Sequence, residues 1–112
     1  MSVEGYELEY IHDAFEKNWI APLGENVTEF EKAVKSYTGA TSAVALSAGT
    51  AALHLSMILA GIGADDKVFC QDLTFSASAN PVTYVGAEPV FIDSERDTWN
   101  MDPKALRKAI AL

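Results

Sequence analysis

The turn Ser47–Thr50 is the first place in the sequence where the residue types could do chemistry. An apolar run ends at this turn and a run with helical spacing follows, so the turn lies at the carboxyl end of a predicted strand and opens a helix. A helix N-terminus presents free backbone N–H groups and the positive end of the helix dipole, and both favour an anion. Gly49 lets a ligand approach the backbone, and the hydroxyl of Thr50 adds a donor. The turn therefore predicts a phosphate site, with a simple helix start as the alternative.

The common nucleotide and hydrolase motifs do not account for this turn. Its single glycine does not make the G-x-G-x-x-G fingerprint of dinucleotide-binding proteins, and no lysine follows Gly49 as a Walker A motif requires. Ser47 lacks the flanking glycines of a nucleophile elbow. A nucleotide-binding α/β domain is therefore disfavoured, and the predicted phosphate belongs to another kind of ligand.

A second candidate lies in the stretch "QDLTFSASANPV", just after another predicted strand. Phe75 falls on the same rim of the sheet as Gly49, where an aromatic ring can stack on a planar ligand. An ordinary core position is the alternative for Phe75 taken alone. Asp72 could offer a carboxylate at this rim or cap a helix, and we favour the cap. His54 lies one turn into the helix after Gly49 and is assigned no catalytic role.

The elements that must position these residues alternate between helices and short apolar strands. Pro81 must bend its helix or cost it a hydrogen bond, and Gly86 ends that helix. Buried strands that alternate with helices predict an α/β fold with a mainly parallel sheet. The predicted strands are "SAVALS", "KVFC" and "PVFID". The first two predicted helices cover residues 6–18 and the stretch from an N-cap at Asn26 to a stop at Gly39. The others cover Thr50–Ala60, Ser76–Val85 and the chain from Pro103 onward, with Asp102 as the N-cap.

The composition is that of a globular domain with an acidic surface. The chain has 112 residues, of which 49% are hydrophobic, and its net charge is −8. This charge argues against nucleic acid and anionic membrane surfaces as partners. Cys70 is the single cysteine, so no internal disulfide can form. The sequence shows neither a signal peptide nor an apolar run near the roughly 20 residues of a membrane span, so we expect a cytoplasmic protein.

Four blocks of the sequence resemble the start of the DegT/DnrJ/EryC1/StrS family, whose members are pyridoxal-phosphate-dependent aminotransferases acting on nucleotide-linked keto-sugars. The blocks are "NWIAPLGENVTEFEKAVKSYTGA", "ALSAGTAALHLSMILAGIGADDKV", "LTFSASANPVTYVGAEPVFID" and "DTWNMDP", in this order, and the resemblance extends from about Tyr10 to Leu112. It implies the N-terminal part of the large domain of the aspartate-aminotransferase-type enzymes (fold type I), with an incomplete, mainly parallel sheet and flanking helices. It also implies a homodimer with active sites at the subunit interface.

The resemblance implies a role for the phosphate turn and for the aromatic residue. The Ser-Gly-Thr turn of the family, here Ala48-Gly49-Thr50, would hold the phosphate of pyridoxal 5'-phosphate through backbone amides and the threonine hydroxyl. Ala48 replaces the family's serine, so any side-chain bond from that position is lost. Phe75 would stack against the pyridine ring of the cofactor.

The loop "NWIAPLG" resembles the family segment near the substrate mouth and the dimer partner. The resemblance therefore places Trp19, Pro22 and Leu23 on the substrate side. A packed loop without contact to substrate is the alternative for these three residues.

The residues that carry out transamination are not expected within this chain. The reaction needs a lysine for the Schiff base and a carboxylate at the pyridine nitrogen, and in the family both lie downstream of the stretch that matches. The resemblance therefore places the Schiff-base lysine beyond Leu112. Five of the lysines present fall on predicted helices, and Lys67 precedes a strand rather than following one. We expect no metal site, no transaminase activity from the chain alone, and weak binding of the cofactor.

The whole chain, 1–112, is expected to be one incomplete domain, with N-terminal helices and a substrate-side loop over 1–39 and the start of the sheet over 40–112. The favoured function is part of an enzyme that converts a nucleotide-linked keto-sugar to an amino-sugar, with an amino-acid donor, for surface polysaccharide or glycoconjugate synthesis. We expect a homo-oligomer. The alternatives are a sugar dehydratase of the same family, in which histidine replaces the lysine, and a naturally truncated, non-catalytic binding or assembly protein.

Overall fold

The computed structural model describes residues 5–111, which form two compact units, one up to Ala45 and one from Leu46. The helices and strands, in chain order, are α1 (Glu7–Glu16), α2 (Glu25–Thr38), α3 (Gly49–Leu59), β1 (Lys67–Gln71), a 3₁₀ helix (Ser76–Ser78), α4 (Asn80–Tyr84), β2 (Glu88–Ile92) and α5 (Pro103–Ile110).

One sequence-based expectation refers to the last residue of the chain. Leu112, beyond which the resemblance places the Schiff-base lysine, lies outside the described residues. The position of that lysine therefore stays a prediction. The assignment of the whole chain to one incomplete domain stays a prediction as well.

The first unit contains α1 and α2, close to where the sequence predicts helices. The chain leaves α1 through Asn18, which adopts a left-handed conformation with φ 57°. The predicted N-cap at Asn26 is wrong, because α2 begins at Glu25 with Gly24 as its N-cap. Asn26 instead donates its side-chain N–H to the carbonyl of Tyr10, at 3.4 Å. The predicted stop at Gly39 is confirmed, since Gly39 has φ 71° and donates its N–H to the carbonyl of Lys35.

The second unit is built on a parallel pair of strands, in agreement with the α/β fold class predicted from the sequence. β1 and β2 pair from Lys67 opposite Glu88 to Gln71 opposite Ile92. The 3₁₀ helix and α4 form the connection between the two strands. A connection that passes through a helix is what two parallel strands require, because a tight turn cannot join them.

The predicted strand "SAVALS" is wrong within the part of the chain that the structure describes. Residues 42–47 pair with no described strand, so the sheet there has two strands rather than the predicted three. Val44 is 71% exposed, and the N–H of Ala45 donates to the carboxylate of Glu31 at 2.8 Å instead of to a neighbouring strand. A strand needs a partner for its backbone groups, and an apolar pattern does not supply one. The bond to Glu31 connects Ala45 to α2 within the first unit.

The single helix predicted over Ser76–Val85 is two shorter helices in the structure. The 3₁₀ helix ends at Ser78, and α4 begins at Asn80 with Pro81 in its first turn. At that position the missing N–H of proline costs no intrahelical bond, so the expected bend is replaced by a break before the proline. Gly86 ends the segment with φ 81°, as predicted.

The core of the second unit lies between β1, α4 and α3. Cys70, Val82 and Ala87 are buried, and the half-buried Met57 and Ile62 pack against them. Burial raises the pKa of the Cys70 thiol, because the charged thiolate would lose its hydration. The core thereby packs α3 against α4. α3 also contacts the 3₁₀ helix.

No helix among residues 5–111 combines the length and the apolar character needed to cross a bilayer.

Candidate functional site

The turn before α3 leaves the start of that helix open. Ala48 is extended, with φ −161° and ψ 157°, and its carbonyl accepts the N–H of Ala52 at 3.1 Å as the first helical bond. No side chain among the described residues caps this helix. The N–H groups of Gly49, Thr50 and Ala51 come before the first intrahelical donor, so they point out of the helix without an intrahelical acceptor.

The surroundings of Gly49 fit an anion held by the backbone. A Cβ built on Gly49 would meet no heavy atom within 4 Å, so the space beside its backbone is open. The side chain of Thr50 is half-buried, and its hydroxyl has no hydrogen-bond partner in residues 5–111. The first turn of α3 contains neither Asp nor Glu. Three amides, one hydroxyl and a first turn without acidic residues suit a phosphate group.

The backbone around Phe75 is held while its ring is open to solvent. Phe75 is 80% exposed, so the alternative of an ordinary core residue does not hold in the described structure. Its carbonyl accepts the N–H of Ser78 at 2.9 Å, and the hydroxyls of Thr74 and Ser78 lie 2.8 Å apart. An aromatic ring on a fixed backbone with a free face is suited to stacking on a planar ligand.

The favoured helix-capping role of Asp72 is wrong. Its carboxylate accepts the N–H of the next residue, Leu73, at 2.7 Å, and the 3₁₀ helix that follows has Phe75 as its N-cap, without a side-chain cap. Asp72 forms a local turn directly after β1 because an Asp side chain can bond the backbone of its own neighbour. It therefore remains an exposed carboxylate at the rim of the sheet.

α3 and the segment that carries Phe75 belong to the same unit and are in contact. α3 contacts α4 and the 3₁₀ helix, which begins directly after Phe75. Phe75 follows the carboxyl end of β1, the edge at which ligands of parallel sheets bind. The expectation that the turn before α3 lies at this same edge stays a prediction.

The substrate-side residues predicted from the sequence belong to the first unit. Trp19 and Leu23 are 52% and 75% exposed, and Trp19 lines a recess of about 200 Å³. The amine of Lys17 at this recess lies 2.9 Å from a carboxylate oxygen of Glu25 and 3.0 Å from one of Asp13. The hydrogen bond to Glu25, followed by the one to Asp13, raises the pKa of Lys17 above its ordinary value. Pro22 lies between Trp19 and Leu23 in the same loop.

The other residues weighed from the sequence have structural surroundings. Lys67 is the first residue of β1, and its amine lies 4.0 Å from the carboxylate of Glu88 at the amino end of the sheet. His54 packs edge-to-face against Tyr84, with ring centroids 5.4 Å apart and an interplanar angle of 75°. That neither residue has a catalytic role stays a prediction.

Gln71 and Trp99 were missed by the sequence analysis. Gln71 is the last residue of β1, and its side-chain amide contacts the carbonyl of Trp99 at 2.6 Å. Trp99 adopts a left-handed conformation with φ 65° and is 66% exposed. The polar side chain that ends the apolar strand "KVFCQ" was the only local signal of this contact, because the partner lies on a distant part of the sequence.

The family model that matches the chain settles its family. Residues 2–112 match the model of the DegT/DnrJ/EryC1/StrS aminotransferase family. The chain belongs to this family.

Two relatives illustrate the similarity. EpsN of Bacillus subtilis (strain 168), assigned as a pyridoxal phosphate-dependent aminotransferase, is 51% identical over 96% of this chain and 28% of its own length. GDP-perosamine synthase of Caulobacter vibrioides (strain ATCC 19089 / CIP 103742 / CB 15) is 42% identical over 96% of this chain and 29% of its own length. The chain thus spans less than a third of these relatives.

A solved structure of the family confirms the fold. Spr1654 of Streptococcus pneumoniae, assigned as a sugar aminotransferase, superposes in its apo-form with a TM-score of 0.87 and 32% identity, over 96% of this chain and 27% of that one. The same protein has been solved with pyridoxal phosphate and in a PMP-form. The α/β arrangement seen here is therefore that of the fold type I aminotransferases.

Proposed function

We propose that this chain forms the part of a sugar aminotransferase that holds the phosphate and the ring of pyridoxal 5'-phosphate. One observation carries the proposal: α3 begins without a side-chain cap from the described residues or an acidic residue in its first turn, next to open space at Gly49. The family of the chain and the cofactor-bound structures of Spr1654 support the same cofactor.

Each residue of the proposed site has a separate task. The amides of Gly49 and Thr50 and the hydroxyl of Thr50 bind the phosphate, and Ala48 contributes its extended backbone but no side-chain bond. The ring of Phe75 covers one face of the cofactor ring and excludes water from it. Pyridoxal phosphate, when bound, supplies a ring that accepts the electrons released when a bond of the amino donor breaks.

The proposed reaction is transfer of an amino group from an amino-acid donor to a nucleotide-linked keto-sugar, for surface polysaccharide or glycoconjugate synthesis. The relative GDP-perosamine synthase supports a nucleotide-linked sugar as the substrate class. Trp19, Pro22 and Leu23 are proposed for the substrate side, because they lie on an exposed loop beside a recess. A cytoplasmic homodimer is part of the same proposal.

Catalysis is proposed to need residues beyond those present here, with the Schiff-base lysine beyond Leu112. Among the described lysines, Lys67 lies at the amino end of the sheet, away from the edge where the cofactor would bind. We expect the 112-residue chain alone to convert no keto-sugar to amino-sugar, and measurable conversion would contradict this. The dehydratase alternative differs at the residue that takes the place of the family's lysine, so an assay of a protein with the full length of the relatives would separate the two reactions.

Cofactor titrations test the proposed site directly. The chain is titrated with pyridoxal phosphate and, separately, with inorganic phosphate, and both are expected to bind, the cofactor more tightly. Phe75→Leu should weaken the binding of pyridoxal phosphate about threefold to tenfold and leave that of inorganic phosphate unchanged, because only the ring contact is lost. Phe91→Leu is the matched control, since Phe91 is a 57% exposed aromatic on β2. Equal losses for both variants, or no binding of either ligand, would refute the proposal.

A further inference from the structure

The side chain of Gln71 contacts two other parts of the second unit, the segment after β1 and the loop 94–101, through one nitrogen atom. Its Nε2 lies 2.6 Å from the carbonyl oxygen of Trp99, 2.9 Å from the hydroxyl of Ser94 and 3.2 Å from the carbonyl oxygen of Leu73. Two of these partners are carbonyl oxygens, which can only accept. These carbonyls fix the orientation of the amide, with the nitrogen on this side. The nitrogen carries two hydrogens, so the three acceptors share them, and the contact to Leu73 is the longest of the three.

Two partners of Gln71, Ser94 and Trp99, lie on a loop that is closed by its own hydrogen bonds. Ser94 and Met101 form an antiparallel bridge, and the N–H of Glu95 donates to the carbonyl of Asn100 at 2.9 Å. The N–H of Asp102 donates to the carbonyl of Asp93 at 2.8 Å, which anchors the loop to the end of β2. The loop 94–101 is thus a firm support rather than a free segment.

The third partner of Gln71, the carbonyl of Leu73, lies on the short segment that carries Phe75. Gln71 contacts the carbonyl of Leu73, two residues before Phe75. The hydroxyls of Thr74 and Ser78, on either side of Phe75 in the sequence, also contact each other. In addition, the N–H of Asp72 donates to the carbonyl of Ile92 at 3.1 Å. The backbone that leads to Phe75 is therefore connected through Gln71 to the loop 94–101.

We propose that Gln71 is a positioning residue, which holds the segment Leu73–Phe75 against the loop 94–101 so that the ring of Phe75 faces the cofactor. The inference rests on the proposed function for the identity of the ligand. The positioning of the segment rests on the hydrogen bonds of Gln71, so the positioning role and the identity of the ligand can be refuted separately. Gln71 does not touch the phosphate turn, and its effect on ligand binding is expected to be confined to the ring of the cofactor.

Gln71→Met tests the proposal, because methionine has a similar length and cannot donate a hydrogen bond. Lys67→Met is the matched control: it makes the same replacement at the other end of β1, where Lys67 is 67% exposed. Gln71→Met should weaken the binding of pyridoxal phosphate about threefold to tenfold, as Phe75→Leu does, with unchanged binding of inorganic phosphate. The double variant should bind the cofactor no more weakly than Phe75→Leu alone, because both changes remove the same contact.

A parallel fall in the affinity for inorganic phosphate would show a general loss of structure and overturn the proposal. An unchanged affinity of Gln71→Met for pyridoxal phosphate, in a chain where Phe75→Leu has an effect, would also overturn it. So would full additivity of the two substitutions.

Amide hydrogen exchange without ligand tests the contact independently of the cofactor. In Gln71→Met, the amides of Leu73, Thr74 and Phe75 should exchange at least about fivefold faster, while the amides of α3 and the whole Lys67→Met variant keep their rates. Unchanged exchange at these three residues would refute the positioning role. If the unsubstituted chain does not prefer pyridoxal phosphate to inorganic phosphate, the proposed contact between Phe75 and the cofactor ring is refuted. The exchange rates would still decide whether Gln71 holds the segment Leu73–Phe75.

Discussion

The first N–H groups of α3 and of α5 both lack intrahelical acceptors, and a described side chain caps α5 but not α3. α5 begins after Asp102, whose carboxylate accepts the N–H of Lys104 at 2.8 Å, and Pro103 follows in the first turn, where its missing N–H costs nothing. α3 begins after Ala48, a residue whose side chain cannot cap a helix. The start of α5 is thus complete within the chain, whereas the start of α3 leaves its donors for something else.

The charges near the other helix starts strengthen this contrast. α1 has Glu7 and Glu9 in its first turn and α2 has Glu25, so each offers a negative charge to the positive end of the helix dipole. Among the described helices of eight or more residues, α3 is the one that has neither an acidic first turn nor a side-chain cap. A bound phosphate would supply the negative charge that the other helices obtain from their own side chains.

Ala48→Asp should produce the largest effect, because it gives α3 the kind of start that α5 has. The new carboxylate would accept the free N–H groups and repel a phosphate. We expect the affinity for inorganic phosphate to fall by at least about tenfold and the free energy of unfolding to rise by about 1 kcal/mol. Calorimetric titration and urea unfolding measure the two changes. A variant that still binds phosphate normally would break the comparison.

Asp102→Ala is the mirror-image experiment at α5. Removal of the bond from the N–H of Lys104 should lower the free energy of unfolding by about 0.5–2 kcal/mol, again measured in urea. The affinity for inorganic phosphate should stay the same, because α5 takes no part in the proposed site. A loss of phosphate affinity here would mean that the two helix starts are not independent.

Thr50→Val sharpens the comparison by removing only the hydroxyl from the proposed site. The shape of the side chain is kept, so the affinity for inorganic phosphate should fall by about fivefold, the equivalent of roughly 1 kcal/mol for one lost hydrogen bond. Thr41→Val is the control, since Thr41 is exposed on the first unit. If both variants bind phosphate as the unsubstituted chain does, the hydroxyl is not a ligand.

The smallest expected effect concerns the loop before α5, which also satisfies its own polar groups. The hydroxyl of Thr98 and the N–H groups of Asp97 and Thr98 donate to the carboxylate of Glu95, and these bonds lower the pKa of Glu95 below its ordinary value. The hydrogen bonds to the ionised Glu95 should therefore stabilise the loop above about pH 4.3, the usual pKa of glutamate. This stabilisation should be lost as the pH falls below that value through the lowered pKa.

Emission from Trp99 reports this loop when Trp19 is replaced by Phe. We expect an acid transition below about pH 4.3 that is absent in Glu95→Gln. A transition centred above that value, or one that survives the substitution, would contradict the assignment to Glu95.

Local signals in the sequence predicted local structure well. The stops at Gly39 and Gly86 and the cap at Asp102 were found because each depends on one residue and its near neighbours. The strands "KVFC" and "PVFID" were found from their apolar pattern and became β1 and β2. The start of α3 was predicted because a small-residue turn before a helical pattern is visible in the sequence, while the phosphate role of Ala48–Thr50 stays a proposal.

Features that depend on distant partners could not be read from the sequence. Residues 42–47 have the pattern of a strand, but a pattern does not provide a partner, and none pairs with them in the described chain. The amide of Gln71 reaches Trp99 across 28 positions of the sequence, so only the fold reveals it. Asn26 was a plausible cap by type, yet the backbone of Gly24 starts the helix earlier.

Amide chemical shifts during a titration with inorganic phosphate test the central claim most directly. The account predicts saturable shifts at Gly49, Thr50 and Ala51, with none at the start of α5, and the same three amides should shift with pyridoxal phosphate, together with Phe75. Shifts that are absent at Gly49–Ala51, or equally large at Lys104, would contradict the claim that the open start of α3 is the phosphate site.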